Sequence, residues 1–190
     1  IPRNDGTGYA DALLGTQVVT SIEVDGANRK WLGTAGGGVY LVSEDGLDEI
    51  AHFTSSNSPL LSNTITDICV DGISGEVFFG TDKGIMGYKG EATEGADNLD
   101  DLYAYPNPVR PEYTGIIAIK GFMDESDVKI TDASGNLVYS TVSNGGQAIW
   151  NGNNLQGERV KSGIYYCFAV SRTNTQKGFA KAATKILFIN

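Results

Sequence analysis

Tyr105-Pro106-Asn107-Pro108 divides the chain. Its two prolines fix φ, remove two backbone donors and push the residue before each towards extended geometry, so the tetrapeptide fits an edge strand but not the middle of a sheet. Just before it, residues 91–101 hold five acids (Glu91, Glu94, Asp97, Asp100, Asp101), no Lys or Arg, and one large apolar residue, Leu99. Such a composition buries too little apolar surface to offset the entropy of ordering, and it predicts an acidic linker over residues 91–102. Two domains follow, residues 1–90 and 103–190.

The first carries a repeat. Val19-Thr20-Ser21-Ile22-Glu23-Val24-Asp25-Gly26 aligns with Ile65-Thr66-Asp67-Ile68-Cys69-Val70-Asp71-Gly72 at an offset of 46, and Trp31-Leu32-Gly33-Thr34 aligns with Phe78-Phe79-Gly80-Thr81 at 47. Alternating residues 19–25, a hairpin turn at Asp25-Gly26, and further short runs at 30–34, 39–43 and 50–54 give four strands per copy. Four strands at a period of 40–50 residues are the mark of a β-propeller blade. The second copy runs out after Tyr88, where its fourth strand is due, unless residues 1–18 supply it. A propeller ring takes at least about four blades, and each blade buries its faces on neighbours, so these two are expected to be the last blades of a longer propeller whose upstream blades are missing here.

The second domain shows no repeat. Residues 115–120, 127–131, 137–142, 148–150, 163–170 and 184–189 read as strands, and Asp132-Ala133-Ser134-Gly135-Asn136 as a turn with glycine where φ is positive. Six or seven short strands in this length fit an immunoglobulin-like β-sandwich, with Trp150, Ile130, Leu137 and Tyr166 as expected core residues. The Ala-rich residues 179–183 resemble a helical turn, too short to nucleate alone. The fold class is all-β throughout.

Charge and cysteine usage narrow the function. The net charge of −9 is uneven: residues 1–95 hold 14 acids and 5 bases, whereas residues 102–190 hold 6 acids and 9 bases. An acidic first domain excludes a nucleic-acid partner, whose phosphates need clustered Lys and Arg. The basic excess gathers late, at Arg159, Lys161, Arg172, Lys177, Lys181 and Lys185, either as a solvated surface or as a face for an anionic ligand. Cys69 and Cys167 sit in apolar runs of different domains and read as two buried thiols. No apolar run approaches the roughly 20 residues that span a bilayer.

Nothing in the sequence resembles a catalytic or metal centre. The single histidine, His52, lies in a strand, and no serine stands in a G-x-S-x-G elbow. One His and two distant Cys offer no zinc spacing. Residues 33–38 are glycine-rich, but they join two strands and lack a following Lys-Ser/Thr, so they form a turn rather than a phosphate cradle. Asp124, Glu125 and Asp127 cluster in a turn and read as solvated, and Trp31 and Trp150 read as core anchors. No cofactor is implied.

Two resemblances add to this reading. Phe53-Thr54-Ser55-Ser56-Asn57-Ser58-Pro59-Leu60-Leu61-Ser62-Asn63-Thr64-Ile65-Thr66-Asp67-Ile68 and Trp31-Leu32-Gly33-Thr34 resemble the two-component-regulator type propeller repeat, which fills the periplasmic sensor regions of hybrid histidine kinases in some Gram-negative bacteria. The second copy departs from it with Val77-Phe78-Phe79 where Trp is usual. Tyr105-Pro106-Asn107-Pro108, Val128-Lys129-Ile130-Thr131-Asp132, Gly135-Asn136-Leu137-Val138, Trp150-Asn151-Gly152 and Ser162-Gly163-Ile164-Tyr165-Tyr166 resemble the C-terminal domain of type IX secretion substrates and the immunoglobulin-like domain of flagellar hook-capping proteins. Asn151 stands where that family usually has Asp.

Together the resemblances imply a non-enzymatic component of type IX secretion at the cell surface or outer membrane. They imply as partners other secretion proteins, namely the attachment complex and its sortase, and anionic lipopolysaccharide held at the basic residues named above. The alternatives are the periplasmic sensor region of a hybrid histidine kinase, where a transmembrane helix should follow, and the C-terminal part of a secreted surface enzyme.

Overall fold

The turns set the strand pairing. In the computed structural model, which describes residues 2–3, 11–172 and 181–189, Asp25 and Asp71 each open a hairpin turn, accepting the backbone N–H of Ala27 and Ile73. Thr34 and Thr81 repeat a second device: each hydroxyl donates to a glycine carbonyl across the next turn, Gly38 at 2.9 Å and Gly84 at 2.8 Å. No helix occurs among the described residues.

The strands are β1 (Pro2–Arg3), β2 (Asp11–Ala12), β3 (Val19–Val24), β4 (Lys30–Thr34), β5 (Val39–Val42), β6 (Glu49–Phe53), β7 (Ile65–Asp71), β8 (Glu76–Thr81) and β9 (Gly84–Lys89) in the first unit. The second holds β10 (Tyr103–Tyr105), β11 (Ile117–Lys120), β12 (Asp127–Thr131), β13 (Leu137–Val142), β14 (Gln147–Trp150), β15 (Gly163–Val170) and β16 (Lys181–Phe188). The units divide between Gly90 and Glu91.

In the first unit β3-β4-β5-β6 form one antiparallel blade and β7-β8-β9 another, with matching register shifts between Val19 and Ser21 and between Ile65 and Asp67. The second blade therefore has three strands among the described residues; β1 and β2 pair only with each other and do not supply its fourth. Alternation puts Trp31, Val39 and Leu41 of one blade against Ile65, Ile68, Val77 and Phe79 of the other, with Phe53 and Tyr88 closing an aromatic cluster around Trp31. Gly33 permits this approach, since a Cβ there would lie 2.7 Å from Cγ2 of Ile65.

The faces turned away from this core are apolar and partly open; on the first blade Leu32, Tyr40 and Val42 are buried there against Leu13 and Leu14. Ile22 and Val24 are exposed on the first blade, and Phe78, Ile85 and Cys69 on the second. Cys69 pairs across the ladder with Phe78, opposite in phase to inward Ile68, so it is not the buried thiol expected from its apolar run. Further blades stacked on these faces would cover them.

The second unit is a seven-stranded sandwich of two sheets, β10-β11-β14 and β13-β12-β15-β16. Its core centres on Trp150, fully buried and in edge contact with Tyr165 and Phe188. Cys167 is buried beside them, and burial pushes its thiol up to about 12. Ile130 is inside as expected, but Leu137 and Tyr166 are not. A bulge between Ile130 and Thr131 hands the inward position to Val138, and the phase of β15 turns Tyr165 in and Tyr166 out. The strand expected from residue 184 begins at Lys181, so the Ala-rich run is strand where it is described.

The expected linker is folded onto this sandwich. Leu99 belongs to its core, Ala92 and Thr93 are buried, and backbone bonds run from Ala96 N–H to the Phe122 carbonyl (2.7 Å) and from Gly146 N–H to the Thr93 carbonyl (2.9 Å). One apolar anchor and a few backbone bonds suffice where a composition average predicts none.

Tyr105-Pro106-Asn107-Pro108 closes the edge of the larger sheet, with both X-Pro bonds cis. The Asn107 carboxamide mimics a strand: it donates to the Lys185 carbonyl (2.8 Å) and accepts the Leu187 N–H (3.0 Å). Val109 then accepts from Ile189 N–H and donates to the Leu187 carbonyl. Asn107→Ala should lower the denaturation free energy of the sandwich by about 1 kcal/mol. An unchanged urea midpoint would show that water replaces the carboxamide at no cost.

Candidate functional site

Strand alternation builds the site. On β15, Tyr165, Cys167 and Ala169 point into the sandwich, so Ile164, Tyr166, Phe168 and Val170 line the outer face of the four-stranded sheet. Residues directly opposite in a ladder share a face, which adds Lys185 beside Tyr166, Lys181 beside Val170 and Lys129 of β12 beside Phe168. Tyr166 and Phe168 stack with centroids 6.4 Å apart and planes 29° apart. Phe168 and Ile164 are each 45% exposed and the three lysines are exposed, so an aromatic and aliphatic stripe runs between Lys129 on one side and Lys181 and Lys185 on the other.

Arg172 joins the same face at the Lys181 end but is already engaged. Its Nε and guanidinium nitrogen reach Asp127 Oδ1 at 3.1 and 2.8 Å. Those hydrogen bonds, and the Arg172 charge, hold Asp127 below the usual carboxylate range. Asp127, a carboxylate of β12 on this face, is thereby engaged by Arg172.

The other expected cations lie elsewhere. Arg159 donates to the carbonyls of Asn151 (2.9 Å) and Tyr113 (2.8 Å) and sits 5.1 Å from the Phe188 ring centroid. It lines a shallow groove of about 420 Å³ with Pro111, Tyr113, Thr114, Asn151 and Asn153. Lys161 stands just before β15, at the Gly163 end, where its carbonyl accepts from the Tyr165 hydroxyl. Eight residues of β15 separate that end from the Arg172 end, about 23 Å. Lys177 lies outside the described residues. The five described cations thus do not gather on one face: Lys181, Lys185 and Arg172 share one, while Arg159 and Lys161 lie towards the Gly163 end.

Lys129, Tyr166 and Phe168 were missed by sequence reasoning. The alternation in residues 163–170 was signal enough for the aromatics, whereas Lys129 needs the strand order β12-β15-β16, which no local pattern carries.

His52 is engaged within its own blade. Its Nε2 lies 2.7 Å from the Gly37 carbonyl and its ring stacks on Tyr40 at 3.8 Å, which makes it a strand-pairing side chain. Among the described residues no three His, Cys, Asp or Glu side chains gather as metal ligands. Of the glycine run at 33–38, Gly33 lies in β4 and residues 35–38 form the β4–β5 turn, with Gly38 at φ +82°.

Known proteins bear this architecture. Residues 103–181 match the secretion system C-terminal sorting domain. The fold over 95% of this chain matches PorZ of Porphyromonas gingivalis, described as an essential bacterial surface component of the type IX secretion system, at 36% identity and a TM-score of 0.62. Dimeric latent PorU from the same organism matches 60% of this chain and 12% of its own length, at 18% identity and a TM-score of 0.36. The extracellular domain of a hybrid two-component system of B. thetaiotaomicron matches 96% of this chain and 27% of its own, at 12% identity and a TM-score of 0.33. These last two likenesses are too distant to bear on function. No curated protein matches the sequence.

The sorting-domain match and the likeness to PorZ make the chain similar to proteins of type IX secretion. Within that class it is PorZ-like, and it spans 24% of the length of the P. gingivalis protein.

Proposed function

We propose that the protein is a non-catalytic scaffold of type IX secretion, exported to the cell surface or outer membrane. There it holds partner secretion proteins, the sortase-bearing attachment complex among them, together with an anionic surface glycan such as lipopolysaccharide. The observation that carries the glycan reading is the outer face of the four-stranded sheet: stacked Tyr166 and Phe168 between Lys129, Lys181 and Lys185, with Asp127 already neutralised by Arg172. Aromatic faces stack on sugar rings, and exposed ammonium groups attract phosphates or carboxylates without fixing a single geometry.

Binding to lipopolysaccharide carrying an anionic polysaccharide should weaken as salt rises, since the Debye length falls from roughly 10 Å at 0.1 M to about 3 Å at 1 M. Replacing Lys129, Lys181 and Lys185 together by Gln should reduce affinity by roughly tenfold at low salt. Replacing Arg159 and Lys161 by Gln should leave it unchanged. Salt-insensitive binding, or a triple variant that binds like the parent, would overturn the assignment of this face.

A further inference from the structure

The larger sheet of the second unit has two edges, and the chain treats them differently. At β16, Asn107 and Val109 occupy the edge from Lys185 to Ile189, and Lys181 and Lys185 stand on the strand itself. Charges and a covering segment are the usual ways by which an edge is kept from pairing with another chain.

At β13 neither device is present. Leu137-Val138-Tyr139-Ser140-Thr141-Val142 contains no charge, no proline and no glycine, and Val, Tyr and Thr favour extended structure. β12 pairs with one side of it, and no other strand or turn among the described residues bonds its backbone.

We propose that β13 is a docking edge for β13 of a second copy, the two four-stranded sheets joining antiparallel into one of eight strands. Antiparallel pairing of a strand with itself is two-fold symmetric, so the edge must be compatible with itself. An uncharged strand meets that condition, whereas β16 would set Lys181 and Lys185 against their own copies. Directly opposed residues must also share a face. Ser140 and Val142 pair with Lys129 and Asp127 on the outer face, and Thr141 pairs with inward Val128.

A register that respects this sets Thr141 opposite Thr141 of the second copy, and Ser140 opposite its Val142. Threonine pairs of this kind favour antiparallel sheets. The same register places Lys129 in one cross-sheet row with the second copy's Asp127, already paired with Arg172, about 14 Å away across three strand spacings. The seam therefore carries no like-charge clash.

A strand seam alone buries less than the roughly 1,200 Å² of a stable interface, so the dimer is weak, half-formed near about 100 μM. The test is disulfide trapping in the whole chain with Cys69→Ser. Thr141→Cys should give a covalent dimer on mild oxidation, because directly opposed Cα atoms lie about 4.5–5.5 Å apart, within disulfide reach. Ser140→Cys, which faces the second copy's Val142, should give much less. Thr141→Lys should lower the sedimenting dimer at least severalfold while the circular dichroism of the sandwich is retained. If Thr141→Lys unfolds the sandwich, the near-isosteric cysteine pair still decides. Equal trapping at both positions, or no trapped dimer at several hundred micromolar, would overturn the proposal. Trapping of Thr141→Cys only to a different secretion protein would do the same and identify that protein's strand as the occupant.

Discussion

Replacing Trp150 by Ala is expected to cost about 3–5 kcal/mol, the range for removing a large buried aromatic. Trp150 is fully buried, and its neighbours Tyr139, Tyr165 and Phe188 come from three other strands, with centroids 6.4, 5.6 and 5.1 Å away. Its indole N–H also donates to the Asn153 carbonyl at 2.8 Å, which fixes the turn after β14. No single neighbour can collapse into the space without leaving its own sheet. The loss is a large part of the 5–15 kcal/mol that usually separates a folded domain from its unfolded chain. With a urea slope of about 1–3 kcal/mol per molar, the sandwich midpoint should fall by roughly 2 M. The fluorescence of Trp31, the one remaining tryptophan, should report an unshifted transition of the blades. A sandwich midpoint that moves by only a few tenths of a molar would show that the core repacks around the cavity.

The second large effect is expected at Asp25. Its carboxylate accepts from the backbone of Ala27 (3.0 Å) and Arg29 (3.1 Å), from Arg29 Nε (2.8 Å) and from Trp31 Nε1 (3.2 Å), with its side chain 2% exposed. Asp25→Ala leaves a nearly buried guanidinium and a buried indole N–H without an acceptor, at a cost of about 3 kcal/mol. Asp25→Asn keeps one oxygen and should lose less. The equivalent residue in the next repeat, Asp71, is exposed, and its removal should shift the blade transition little. Comparable losses at the two positions would show that the hairpin turn, rather than the buried ion pair, carries the stability.

How far this molecule could be read from its sequence follows from which signals are local. The blades were legible because offsets of 46 and 47 residues align two hairpins that fold by the same turns, Asp25 with Asp71 and Thr34 with Thr81. The sandwich strands were legible from alternation, and Trp150 from its size. Leu137 and Tyr166 were misplaced because a bulge and a one-residue phase choice decide which side of a strand faces inward, and neither leaves a compositional trace. Leu99 escaped for a similar reason: one residue anchors a segment whose average composition is that of a solvated tether. The candidate site was half legible. Lys181 and Lys185, four apart on one strand, could be placed together, but separating Arg159 from them and adding Lys129 required the order of strands in the sheet.

The burial of Cys167 turns the second unit into its own clock. With its thiol held at about 12, thiolate is scarce at pH 8, on the order of one part in ten thousand, and the core screens what little forms. An alkylating reagent can then reach Cys167 only when the sandwich opens, whereas exposed Cys69 is open to the reagent in the folded chain. A two-phase labelling trace on the unaltered chain would give the opening frequency of the sandwich without denaturant.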